Sequence, residues 1–533
     1  MMSTTAAKLW HGNYRSTVYP VDLDASPAYG TYRKEEIKSL VQLCAAFIVQ
    51  DSGMTKQALD IIPKHLYEPF LQEALVKNRE LAIQEIIASW PLPSLILHRL
   101  MPNLFTSVQA LFNSSYQCDI VKQGLRYTTA LAQTFLDSLK KGSTPRLQYL
   151  DLTGFPTAEV IVYFVATHCM LAHNEVRHET ILSMYNQAVK HSGQALGITE
   201  RMEPIEHSLP PDCSVIIKLD AFVMSEATHT ELCKALKVSS FRDRKLCLIV
   251  SRLGMTCLGV CRVGLLLKLV DPQHLTGLQL QYNALNSGDF VEIASALKGL
   301  VCLESLDLSC NSIFFHQHEE ACKAAAEVFA AMPKLKRLDL SNNRIKTRLR
   351  RLLEAVVQPL TSLRLAGCGL TVTDLLYLSH SHHSSYLEAL DLSENNLKLC
   401  ERQIRGILSA TQSCLQLLEL EHCSLNDQMV QSLTYHFSGL RSLKYLNVAE
   451  NQLSHPCLAS LTAAVAELVS LQVFKTSFPT DCYQHENEED EERGKEDVIK
   501  EIALVFSNSG VNSLRAKPVH LAVIELDRVW NLA

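Results

Sequence analysis

LTGLQLQYNAL, residues 275–285, carries leucine at 275, 278, 280 and 285 and asparagine at 283. Leu278 and Leu280 alternate with period two. They therefore mark a short strand with one buried face, because successive side chains on a strand point to opposite sides. Asn283 falls in the turn that follows, where its side chain satisfies backbone groups. The pattern returns as Leu303, Leu306, Leu308, Asn311, Ile313 and as Leu335, Leu338, Leu340, Asn343, Ile345. It continues with Leu360, Leu363, Leu365, Cys368, Leu370 and with Leu387, Leu390, Leu392, Asn395, Leu397. Two more copies follow, Leu415, Leu418, Leu420, Cys423, Leu425 and Leu443, Leu446, Val448, Asn451, Leu453. A truncated copy starts at Leu471 with Phe474, and the mean spacing is 28 residues.

That template, Leu-x-x-Leu-x-Leu-x-x-Asn/Cys-x-Leu, is the leucine-rich-repeat signature. A spacing near 28 leaves room for a helix in each repeat. Phe290, Ile293, Ala294 and Leu297 follow the i, i+3, i+4, i+7 rule of an amphipathic helix. The expected fold class is α/β: a leucine-rich-repeat solenoid, a horseshoe with a concave parallel sheet and convex helices. It carries an N-terminal helical segment for docking or capping, because stacked repeats need capped ends. Cys368 and Cys423 stand where the template allows Asn or Cys, so their role is structural.

Before Leu275 the pattern degrades. LQYLDLTGF (147–155), VIIKLDAF (Val215–Phe222) and LCLIV (Leu246–Val250) read as further strands. His173–Pro211 is polar and irregular, a long loop or insertion. The charged run HENEEDEERGKED (His485–Asp497) reads as a solvated loop, and Val498–Ser507 as a final helix. The expected division is a flexible N-terminus (1–30), a helical segment (31–100), degenerate repeats with an insertion (101–270) and regular repeats (271–480). An acidic loop and C-terminal cap (481–533) complete it.

Composition excludes several functions. Hydrophobic residues are 47% and charged residues 20%, the balance of a soluble globular chain, and the formal charge is -6. Without a Lys/Arg block there is no nucleic-acid footprint. The apolar stretches Val160–Ala172 and Cys257–Val270 are shorter than the ~20 residues of a membrane helix and read as buried repeat segments. Residues 1–19 lack the apolar core of a signal peptide. The expected location is cytoplasmic, with nuclear access open, and the cysteines are expected to be small buried hydrophobes. No phosphate-binding loop, nucleophile elbow or zinc spacing occurs. His380, His382 and His383 sit in a polar turn after the fourth repeat. No cofactor or metal and no enzymatic activity are expected.

Residues 34–90 read as helical. Ile37, Leu40, Val41, Cys44, Phe47 and Ile48 share one helix face, with Glu35 and Glu36 in the first turn and Ser52-Gly53 at its end. A second helix is marked by Leu59, Ile62 and the Pro63 break, and a third by Leu71–Ser89, closed by Trp90-Pro-Leu-Pro93. Within the first helix, Ser39, Leu40, Cys44 and Ile48 resemble a BC box, the helix by which substrate receptors dock on elongin C. Ile62, Pro63, Leu66 and Phe70 resemble the adjoining cullin-2 box. The stretch SLVQLCAAFIVQDSGMTKQALDIIPKHLYEPF, followed by ASWPLPSL, resembles the N-terminal region of the PRAME family. SFPTDCY (Ser477–Tyr483) resembles the end of the last repeat in a leucine-rich-repeat relative of that family.

This resemblance implies a protein-binding adaptor, the substrate-recognition subunit of a cullin-2–elongin B/C–RING ubiquitin ligase. It implies Ser39, Leu40, Cys44 and Ile48 against elongin C, and Ile62, Pro63, Leu66 and Phe70 against cullin-2. The alternative is a non-catalytic signalling scaffold that inhibits its partner without ubiquitination, for example a negative regulator of NF-κB signalling. The substrate-facing row is read from strand alternation: Gln279, Asp307, Asp339, Arg364, Asp391, Glu419 and Asn447 point out of the concave face. Its acidic residues suit a basic segment of an unknown protein substrate. The other reading of those aspartates is that Leu-Asp-Leu-Ser is repeat consensus and they only bond neighbouring backbone or hydroxyl groups.

Overall fold

A computed structural model describes residues 19–21, 39–101, 117–139, 146–172, 215–239, 246–484, 488–509 and 519–524. The chain forms two compact units, one of Thr31–Ile313 with Lys323–Leu335, the other of Met1–Gly30, Phe314–Cys322 and Lys336–Ala533. The insertion expected at His173–Pro211, the first-turn acids Glu35 and Glu36, and Ile37 lie outside the described residues.

The first unit opens with four helices, α1 (Leu40–Ile48), α2 (Ser52–Leu59), α3 (Tyr67–Val76) and α4 (Glu80–Ala88). The single helix expected over Leu71–Ser89 is two. The chain turns at Lys77–Arg79, where Asn78 takes φ 51°, a left-handed value that asparagine tolerates better than most residues. The helices α3 and α4 pack on each other, burying Phe70, Leu71, Ala74 and Leu75 of α3 and Ile83, Ile86 and Ile87 of α4, and Trp90 is buried as well. Tyr67 meets Trp90 edge to face, with ring centroids 6.2 Å apart.

Six parallel strands follow in chain order: β2 (Ser94–Ile96), β3 (Tyr149–Asp151), β4 (Val215–Val223), β5 (Leu246–Met255), β6 (Gly277–Gln279) and β7 (Ser305–Asp307). The three degenerate repeats are strands, as their pattern requires. β2 comes from the proline-flanked stretch that reads as a terminator. Helix Glu159–Ala172 is buried along Val160–Met170, the polar Thr167 and His168 included, each bonded to a backbone carbonyl one turn earlier.

The second unit holds the same motif: β8 (Arg337–Asp339), β9 (Ser362–Arg364), β10 (Ala389–Asp391), β11 (Leu417–Glu419), β12 (Tyr445–Asn447) and β13 (Val473–Ser477), all parallel. Two elements were not legible. β14 (His520–Ile524) adds a parallel strand to β13, and β1 (Tyr19–Val21) pairs antiparallel with β14. The N-terminus expected to be flexible is thus strand at Tyr19–Val21, where it covers a sheet edge that would otherwise expose unpaired backbone. The charged loop expected at His485–Asp497 is also corrected: from Glu488 it belongs to a helix, Glu488–Asn508. Val498, Ile502 and Phe506 recur every four residues and are buried, and buried Lys495 and half-buried Glu491 continue that face into the acidic run. Lys495, itself buried, bonds Glu491 at 2.8 Å and lies over the rings of Phe478 and Tyr483.

The template asparagines act as ladders inside the turns. Asn283 Nδ2 donates to the carbonyls of Met255 (2.7 Å) and Leu280 (2.9 Å), while its Oδ1 accepts from Leu258 N–H (3.0 Å). Asn311 and Asn451 repeat this, each with Oδ1 accepting two backbone N–H groups. Cysteine does only half the work. Cys368 Sγ–H reaches Leu340 O (3.2 Å) and Cys423 Sγ–H reaches Leu392 O (3.3 Å). The N–H groups of Ile345 and Leu397 then bond the backbone carbonyls of Cys368 and Cys423 (3.1 and 2.9 Å). Burial raises the pKa of both thiols, which disfavours the reactive thiolate.

A second ladder runs one residue earlier. Tyr282, Cys310, Asn342, Gly367, Glu394, His422 and Glu450 all have positive φ. In the second unit, the N–H groups of residues 342, 367, 394 and 422 bond the next repeat's backbone at 2.7–3.0 Å. These bonds offset the roughly 1–2 kcal/mol that a left-handed non-glycine residue costs.

Of the histidine cluster, His380 and His382 are exposed, and His383 departs from the polar-turn expectation. His383 is fully buried. Leu360 N–H donates to its Nδ1 (3.2 Å), so Nε2 carries the proton and donates to Leu353 O (3.0 Å). Burial holds its pKa below the ordinary value.

Candidate functional site

α1 is capped by Ser39, whose Oγ accepts from Gln42 N–H (3.2 Å) while Gln42 Oε1 accepts from Ser39 N–H (2.8 Å). Its inward face is small: Ala45, Ala46 and, at the C-cap, Val49. The large apolar residues face solvent. Leu40 is 76% exposed, Leu43 53% and Phe47 63%, and Cys44 lies between them, exposed. These positions recur every three or four residues and so form one outward stripe. Met54 on α2 and Ile61 just beyond it are exposed as well, Ile61 at 83%. Soluble monomers rarely leave so many large apolar side chains uncovered together, and such patches mark interaction sites.

The residues singled out from sequence divide. Leu40 and Cys44 are on the stripe, Ile48 is half-buried, and Ser39 is a helix cap. Pro63 is exposed, and Ile62 and Leu66 are half-buried. Phe70 is only 3% exposed, so it packs in the module's core and presents no docking surface. Leu43 and Ile61, not singled out from sequence, are exposed. Within LVQLCAAFI the buried residues are Ala45 and Ala46.

The sheet face opposite the core presents the other set. Strand register aligns Asp339, Arg364, Asp391, Glu419, Asn447 and Lys475 in one file. In the first unit it aligns Gln279 with Asp307. Asp307, Asp339 and Asp391 each accept from a serine N–H two residues on (2.8–3.0 Å). Asn447 lies buried in the file, donating to Glu419 and Glu421 (3.0 and 2.9 Å). Lys475 bonds Glu421 at 3.0 Å. Burial raises the Asp391 carboxyl against the opposing pull of Arg364. Burial, and then Asp391, push Glu419 up to about 7. The file is therefore a partly neutralised network rather than a uniform row of anions.

Among the described residues, no group of three or more His, Cys, Asp or Glu side chains is placed to hold a metal ion, and no helix is long and apolar enough to cross a membrane. Parallel strands, helices between them and asparagine-laddered turns define the class: this is a leucine-rich-repeat protein.

The chain belongs to the PRAME family: the PRAME C-terminal domain matches residues 218–492 and the PRAME N-terminal domain residues 38–114. It is 27% identical to leucine-rich repeat-containing protein 14 of Xenopus laevis, over 84% of this chain and 89% of that one. With the Homo sapiens protein of that name it shares 25% identity over 84% of this chain and 88% of the other. NACHT, LRR and PYD domains-containing protein 4C of Mus musculus is 26% identical over 59% of this chain and 32% of its own length. Among solved structures, an internalin of Listeria monocytogenes matches 50% of this chain and 74% of its own at 16% identity, with a TM-score of 0.28. That likeness is too loose to carry anything further. The relatives are repeat proteins, which supports a repeat-based protein-binding role.

Proposed function

We propose that the chain is the substrate-recognition subunit of a cullin-2–elongin B/C–RING ubiquitin ligase. The outward stripe of α1 docks elongin C. The segment around Ile61, Ile62 and Pro63 meets cullin-2, and the sheet face holds the substrate. The observation that carries the reading is Leu40, a large apolar side chain at the first position of a capped helix, 76% exposed. Its motif partner Cys44 is exposed on the same stripe, as a docking helix requires. Catalysis belongs to other subunits, and this chain supplies two binding surfaces.

The test is capture of recombinant elongin B/C and cullin-2 by the full chain and by Leu40→Asp. Because Leu40 is not core, the variant should fold with an unchanged melting temperature and lose elongin. Ile62→Ala combined with Pro63→Ala should lose cullin-2 while keeping elongin. No capture of either partner by the wild-type chain would leave it as a scaffold that binds and inhibits its partner, and undiminished capture by every variant would overturn the assignment of α1 and the Ile62–Pro63 segment as the docking surfaces.

A further inference from the structure

Helix α1 is nine residues long, too short to persist by itself in water. Two alanines and a valine are a thin anchor for a helix that exposes Leu40, Leu43 and Phe47. Something must therefore hold its direction. The last carbonyls of a helix have no intrahelical partner. At the end of α1, Ala46 O accepts from Gln50 Nε2 (3.2 Å) and from Lys77 Nζ (2.7 Å). Gln50 belongs to the same turn, whereas Lys77 is 31 residues away, at the C-cap of α3. From α2, Thr55 Oγ1 adds a bond to Ile48 O (3.1 Å).

Lys77 is well placed to act as a clamp. Its own N–H closes α3 on Glu73 O and Leu75 O, so its backbone is fixed to the module's core. Its side chain is half-buried, and the ammonium sits at the negative end of the α1 dipole, where a cation is favoured. A charge-assisted bond of this kind is stronger than a neutral one.

We infer that Lys77 is a positioning residue: it pins the C-terminus of α1 to α3, so that Leu40, Leu43, Cys44 and Phe47 meet a partner as a preformed stripe. This rests on the docking reading above. The contact surface itself does not include Lys77, so losing the clamp should slow association rather than remove a contact.

The test compares the full-length wild type with Lys77→Met, which keeps the apolar stem, and Lys77→Arg, which restores a charged donor. Amide hydrogen exchange over Leu43–Val49, measured without partner, should run roughly tenfold faster in Lys77→Met. It should recover in Lys77→Arg, with the melting temperature of all three alike. Capture of elongin B/C should weaken by a similar factor in Lys77→Met, through slower association, and recover in Lys77→Arg. Leu40→Asp is the separating control: it should abolish capture while leaving exchange over 43–49 at the wild-type rate. If Leu40→Asp captures elongin normally, the docking reading fails, and the exchange data still judge the clamp. Unchanged exchange in Lys77→Met would overturn the inference. So would faster exchange with undiminished capture, or a fall in melting temperature that arginine does not restore.

Discussion

In the repeats, leucines face inward and asparagines hold the turns. In α1, leucines face outward and alanines face inward. Both regions are rich in apolar residues at regular spacing, yet one uses that spacing to build a core and the other to build a surface. The repeat leucines are buried almost without remainder, and the polar groups between them are bonded in ladders. The helical module has its own core in α3 and α4, which leaves α1 attached by small residues and a few polar bonds. Apolar periodicity thus records which residues share a face, and the size of the residues on the opposite face records which side packs.

The comparison makes predictions of graded size. Leu40→Asp carries the largest effect. It should cut capture of elongin B/C by more than a hundredfold, since an unpaired carboxylate in an apolar pocket costs several kcal/mol, without changing the urea midpoint. The matching change in a repeat, Leu390→Asp, should instead unfold the second unit, because Leu390 is fully buried. If both variants behaved alike, the contrast between surface and core would be broken.

Next come the ladders. Asn395→Ala removes bonds from Nδ2 to Leu365 O (2.9 Å) and Leu392 O (2.9 Å), and orphans Leu370 N–H. It should cost about 3 kcal/mol by urea denaturation. Cys368→Ala, at the equivalent position, should cost about 1 kcal/mol, because a weak thiol donor is lost and neighbouring N–H groups are already served by backbone. Equal costs would show that the ladder positions do not differ as their chemistry implies.

Two titrating groups should pull stability in opposite directions. Glu419 has its folded pKa raised to about 7, so its contribution is full below the ordinary glutamate value and is lost as pH rises toward 7. His383 has its folded pKa lowered, so its contribution is full above the ordinary histidine value and is lost as pH falls. Between pH 5 and pH 8, Glu419→Gln should therefore be less sensitive than wild type to rising pH, by on the order of 1–2 kcal/mol. His383→Gln should be weaker at pH 7.5 but flatter between pH 7 and 5.5. Urea midpoints at four pH values would check both, and identical slopes for all three proteins would refute the assignments.

The smallest effect is chemical. Cys44 is exposed on the stripe, while Cys368 and Cys423 are buried with raised pKa values. A bulky maleimide should label Cys44 well before those two, as mass spectrometry of brief reactions would show. Labelling at Cys44 alone should weaken elongin capture.

Much of the fold was readable from residues alone. Leu-x-Leu alternation marked the strands from β6 to β11, Leu446 and Val448 marked β12, the truncated copy at Leu471 and Phe474 marked β13, and the Asn and Cys positions announced the turns, because those constraints act within one repeat and its neighbour. Phe290, Ile293, Ala294 and Leu297 share a buried helix face for the same local reason. The elements that escaped depend on distant partners. β1 and β14 are strands through pairing with segments remote in sequence, and the acidic run is helical because Val498, Ile502 and Phe506 find a surface to cover. His383 looked like part of a polar run until burial turned it into a backbone bridge.

For the candidate site, sequence determined that Leu40, Cys44 and Phe47 share a face and that Ile62, Pro63, Leu66 and Phe70 follow close behind. Only the tertiary structure decided that the first face looks outward, that Phe70 looks inward, and that Leu43 and Ile61 extend the surface. The physical reason is that a helical period is a property of one segment. Burial is a property of what else arrives beside it, here the packing of α3 on α4 and the reach of Lys77 across to Ala46.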